Sequence, residues 1–193
     1  MHYRFAGSDS VFEHQGPWTM DPPPRDVAFA PIEYPAWRAC QHQAAAIPYS
    51  RFALAHQIVE PAELLFFRGY AGENAHHGFG VHDTSGSGYC THEKKGTGDD
   101  HIFELIWEPE NTQFTASVSP EARKAMKFTD ARGFSGSLVW NTRYLEVSRH
   151  RQWTSQDAVV TGFLRRWDQE SKTLLAWRVE HLRAWLDTNA GQP

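Results

Sequence analysis

An all-β fold closed by a single C-terminal helix is predicted for this chain, on three features of its sequence. Short apolar runs recur at 63–68, 102–107, 113–118, 138–140, 157–164 and 173–177, bounded by the Gly, Pro, Asn and Ser residues that end strands. Gly16-Pro17 and Pro22-Pro23-Pro24 hold the first part of the chain extended and exclude helix there. Only near the end, over 178–186, do Val179, Leu182 and Leu186 fall on one helical face, with Trp185 alongside.

Composition removes several classes of function. With 193 residues, 40% hydrophobic and eight tryptophans, the chain is long and apolar enough to bury a real core. A formal net charge of −4 recommends neither nucleic acid nor an anionic membrane as partner. No apolar run approaches the roughly 20 residues that span a bilayer, and the start, Met1-His2-Tyr3-Arg4-Phe5, lacks the apolar core of a secretory signal. A cytoplasmic location is therefore expected, with Cys40 and Cys90 as reduced thiols; a pairing between them is left open. No cofactor is expected.

The elements follow in order. Tyr3, Phe5 and Phe12 suggest a strand over 1–12, broken by Gly7-Ser8-Asp9-Ser10. Asp26 opens a short apolar strand, Val27-Ala28-Phe29-Ala30; by itself such an aspartate also caps a turn. Residues 33–60 read as a connection, and the run 63–68 enters the glycine turn Gly69-Tyr70-Ala71-Gly72. The segment 73–101 is rich in Gly, His, Ser and Thr, which predicts one or two weak strands and a loop. The runs 102–107 and 113–118 are expected to pair as a hairpin, turning at Pro109 and Asn111. Ser119-Pro120-Glu121-Ala122-Arg123 has the form of a capped short helix, with Ser at the cap and Pro at the first position.

The chemistry concentrates at Gly133-Phe134-Ser135-Gly136-Ser137-Leu138-Val139-Trp140. Two glycines flank one serine just before a buried strand. A nucleophilic serine needs such a turn, and so do backbone amides aimed at an oxyanion. A plain Gly/Ser turn would have the same composition. The segment resembles the nucleophile turn of the chymotrypsin-like (trypsin-like) serine peptidases. The Asp-Val-Ala-Phe strand at 26–29 is similar to the one that their triad aspartate opens, and the Gly-Tyr-x-Gly turn at 69–72 to the one that opens their second barrel. Together with Val159-Val160-Thr161-Gly162 and Val179-Glu180-His181-Leu182, these motifs most resemble a group of bacterial trypsin-like peptidase-domain proteins.

The resemblance implies a double β-barrel with an incomplete first barrel over 1–60, a second barrel over 61–193 and a closing helix. It implies Ser135 as nucleophile, Asp26 as triad acid, and the Gly133 and Ser135 amides as oxyanion hole. It places Thr129 at the base of a specificity pocket and Arg165, Arg166 and Trp167 along a peptide-pairing edge, with a peptide or protein as substrate. The family's Thr-Ala-x-His segment has no counterpart. His14, 12 residues ahead of Asp26, is too close for the intervening strands, which leaves His2, 24 residues ahead, as the candidate base. The expectation is that the catalytic histidine is missing from a chain that begins part-way through the first barrel. The alternative is a catalytically silent domain that binds peptides along the Gly162–Trp167 edge.

A second cluster, His76, His77, His82, Cys90 and His92, offers zinc-type ligands in a spacing that matches no finger or His-Glu-x-x-His helix. It is read as a solvated loop, and no metal site is expected.

Overall fold

The computed structural model describes the chain apart from residues 1, 4, 6, 24, 79, 80, 85, 97, 98, 117, 128 and 191–193, and gives backbone alone at 2, 74–78, 81–84 and 125. The chain divides into two compact units, 1–49 and 50–193.

In the first unit, β1 (His2–Tyr3) pairs antiparallel with β2 (Phe12–Glu13), and β3 (Thr19–Asp21) with β4 (Val27–Phe29); a short helix, α1 (Tyr34–Arg38), follows. The aromatic spacing over 1–12 thus makes a hairpin rather than one strand. The chain turns after Phe5, whose carbonyl accepts from the Ser8 amide at 3.1 Å. Phe5 is buried and gathers Tyr3, Phe12, Trp37 and His42 at ring-centroid distances of 4.8–5.6 Å. Asp26 stands exposed immediately before β4 in the left-handed region, with φ +52°.

The second unit is built on a curled antiparallel sheet of seven strands. They are β5 (Leu65–Gly69), β8 (Ser87–Thr91), β9 (Glu93–Lys94), β10 (Ile102–Ile106), β11 (Leu138–Asn141), β12 (Val159–Asp168) and β13 (Thr173–Arg178), in the order β8-β5-β11-β12-β13-β10-β9. A separate hairpin, β6 (Ala75–Gly78) with β7 (Val81–Thr84), leaves the loop after β5. The two edge strands, β8 and β9, are separated by His92 alone. The Ile106 amide donates to His92 O at 3.1 Å and Thr91 Oγ1 to Ile106 O at 2.7 Å. Residues 87–94 therefore run as one strand from one edge of the sheet to the other and curl it into a barrel-like form, which leaves few free edges.

Burial follows the pleat. In β5, β10 and β11 every second residue points inward: Leu65 and Phe67, Phe103 and Leu105, and Val139 are fully buried. They pack with Trp107, Phe134, Leu164, Leu174 and Ala176. In β12 and β13 both faces are buried, with α4 (Val179–Asn189), whose Trp185 is buried, packed against these two strands.

Two sequence expectations meet the structure differently. The helix α2 (Pro120–Ala125) forms as read, with Pro at its first turn and Ser119 Oγ accepting from the Ala122 amide. The 113–118 run does not pair with β10, and its described residues form no strand. Both edges of β10 are already occupied, by β9 and β13, so no ladder remains for it to join. The fold is thus predominantly β with a few helices. Among the described residues no helix is long and apolar enough to cross a membrane, and both cysteines are free thiols.

Candidate functional site

Backbone geometry sets the Ser135 turn. Gly133 and Gly136 take φ of +99° and +84°, a region that favours glycine. At Gly133 the neighbours tighten the demand: a Cβ would lie 2.4 Å from Tyr70 O and 2.8 Å from the Gly72 amide nitrogen. The Gly72 amide in turn donates to Arg132 O at 2.7 Å, tying this turn to the loop after β5. Phe134 is buried and sits edge-on to Phe67, with ring centroids 5.1 Å apart. With that ring anchored in the core, Gly133 and Ser135 on either side are exposed.

The amides of the turn divide into two sets. Phe134 N–H donates to Ala131 O, Gly136 N–H to Leu164 O at 2.7 Å, and Ser137 N–H to Phe134 O. Those of Gly133 and Ser135 donate to no acceptor among the described residues. The hydroxyl of Ser135 donates to the carbonyl of Arg165 at 2.8 Å. Arg165 lies where the β12–β13 register shifts, without a Cα partner on β13, and its carbonyl is left to accept this bond.

The other residues singled out by sequence are placed as follows. Thr129 Oγ1 donates to Glu73 Oε2 at 2.8 Å, and the Asp130 amide to the other Glu73 oxygen at 3.0 Å. Arg132 grips Asp130 and holds its carboxyl below the usual aspartate range. The Arg165 guanidinium lies over the Trp177 ring, 5.3 Å from its centroid; Arg166 is exposed, and Trp167 packs partly buried against the core. Pairing with β11 ends at Phe163, so among the described residues 166–168 have β13 on one side and no strand on the other. Asp26 and His2 belong to the 1–49 unit; the His2 side chain lies outside the described residues.

No described histidine of the 50–193 unit bonds Ser135. His56, which sequence reading passed over, is buried: Nδ1 is 2.8 Å from Thr161 Oγ1, Nε2 is 3.4 Å from Glu93 Oε1, and the ring stacks on Phe103. Thr161 is itself 1% exposed, so this hydroxyl–imidazole–carboxylate line cross-links the barrel and cannot meet a substrate. In the His/Cys loop, the side chains of His76, His77 and His82 lie outside the described residues. His92 Nδ1 is 3.2 Å from Glu63 O, and burial pushes the Cys90 thiol up. Among the described residues no three His, Cys, Asp or Glu side chains converge on a point that could hold a metal.

A cavity of about 490 Å³ opens on the outer face of the sheet, lined by Phe66, Trp140, Trp153, Arg51 and Cys90. Ser135 is not among its walls; Thr142, Ser155 and Gln156 add polar groups to the lining, and Arg51 donates to Gln156 Oε1 and Ser155 O.

In comparison with known proteins, the chain matches no family model, no curated protein and no solved structure.

Proposed function

We propose that this chain is a chymotrypsin-like serine hydrolase whose 50–193 unit corresponds to the second barrel of that fold and carries the nucleophile Ser135. The observation that carries the reading is the division of amides in the turn. Gly133 and Ser135, the two that such a site needs, are the ones without an acceptor among the described residues, and they flank an exposed hydroxyl. The strand order supports it. Taken as one strand, 87–94 makes β5 through β13 a six-membered antiparallel ring with Greek-key connections, and the nucleophile turn enters its fourth member.

In this reading Ser135 Oγ attacks the carbonyl carbon of a peptide or ester. The new oxyanion receives the Gly133 and Ser135 N–H groups, the hydroxyl proton passes to a base, and the base returns it to the leaving amine or alcohol. Water then hydrolyses the acyl-serine by the same steps. The resemblance gives Asp26 as the acid that orients the base, but offers no counterpart for the histidine itself, and His2 is the substitute nearest to the family's spacing. Without a working histidine the rate falls by roughly 10⁶.

The Ser135–Arg165 bond favours a second reading, a silent domain that binds an extended peptide along the 166–168 edge by strand addition. Burst kinetics with p-nitrophenyl acetate separate the two. A hydrolase releases about one equivalent of nitrophenolate per chain before the steady state, and Ser135→Ala abolishes the burst. Wild type without a burst overturns the hydrolase reading.

A further inference from the structure

We propose that His101 and His181 form a binding site for a divalent transition-metal ion of the class that imidazole prefers, Cu²⁺, Ni²⁺ or Zn²⁺. The site is independent of Ser135 and distinct from the His/Cys loop. His101 Nδ1 and His181 Nε2 face each other at 3.1 Å, with ring centroids 4.7 Å apart. Two nitrogens bonded to one ion at about 2.0–2.1 Å, with an angle between 90° and tetrahedral at the metal, are separated by about 2.9–3.4 Å. The pair already stands at that bite. With both rings neutral, one proton bridges the two nitrogens; when the donor ring changes tautomer and carries that proton on its other nitrogen, both facing nitrogens offer lone pairs to a metal ion.

The two rings are held by fixed backbone. The Arg178 amide donates to His101 O at 3.0 Å, which clamps the start of β10 to the end of β13, and His181 follows three residues later in the first turn of α4. Asp99 Oδ1 accepts from the His101 amide at 2.7 Å and sets an anionic side chain beside the pair. Asp100 O lies 3.5 Å from His181 Nε2. The Trp177 ring flanks both imidazoles, with centroids 6.3 and 6.2 Å away, and keeps them from swinging inward. Among the described residues no third His, Cys, Asp or Glu side chain completes the set. Water therefore fills the remaining positions, and the bound ion stays exchangeable. Copper binds tightest of the three by the general order of these metals.

The test is a Cu²⁺ titration of the full chain by calorimetry, for wild type, His101→Ala, His181→Ala and a His76→Ala/His77→Ala/His82→Ala control. The expected result is one saturable equivalent in wild type and control, weakened at least tenfold in each of the two single variants. No saturable binding in wild type overturns the site, as does binding that survives both single variants or disappears only in the control. Should a single variant fail to fold, NMR of the ¹⁵N-imidazole signals in wild type decides: substoichiometric Cu²⁺ must broaden His101 and His181 before any other histidine.

Discussion

The hydroxyl of Ser135 donates to the carbonyl of Arg165 at 2.8 Å, joining the exposed turn before β11 to the bulge of β12 thirty residues later. That bond gives the exposed hydroxyl a partner on strand β12. In the proposed mechanism the hydroxyl turns from this carbonyl to a base before it attacks.

The turn depends on Gly133. An alanine there meets Tyr70 O at 2.4 Å while its backbone stays at φ +99°. Gly133→Ala is expected to lose about 2 kcal/mol or more of stability in urea unfolding, from left-handed strain plus the clash. An equally stable variant would mean that the turn can take another shape.

Glu63 ties the segment before β5 to the one after β11 in the 50–193 unit. Its carboxylate is 2% exposed and accepts from the amides of Leu64, Tyr144, Leu145 and Glu146 and from Thr142 Oγ1. It therefore caps α3 (Tyr144–Ser148), which follows β11. Glu63→Gln turns an NH₂ group toward N–H donors and is expected to cost about 2–4 kcal/mol by denaturant unfolding. A loss under 1 kcal/mol would contradict the cap.

Much of this was legible locally. β5, β12, β13, α2 and α4 follow from apolar period and capping residues within each segment, and the two glycines around Ser135 announce their own backbone angles. The rest is non-local. The continuous 87–94 strand hides in a Gly- and His-rich stretch, and its partners are decided by how β5 and β10 are placed. The 113–118 run has a strand's composition but finds no free edge. Glu63 meets the start of α3 some eighty residues away, and Arg165 meets Ser135 across thirty. Such pairings leave no periodic trace in a single sequence.

Acid should weaken the loop before β12. Arg151 and the Thr154 amide and hydroxyl hold the Asp157 carboxyl well below the usual aspartate range. Because the folded pKa is depressed, this contribution is complete above the unfolded value, about 3.9, and fades as pH falls below about 4 toward the folded value. Asp157→Asn should flatten the stability–pH profile below pH 4 in thermal melts at stepped pH. An unchanged slope would refute the pairing.

The most direct test of the central claim is labelling with a fluorophosphonate, read by intact mass and peptide mapping. An oxyanion site beside an activatable Ser135 predicts one phosphonyl group per chain, mapped to Ser135 and absent in Ser135→Ala. A folded wild-type chain that stays unlabelled, or carries the label on another residue, would contradict the serine hydrolase account.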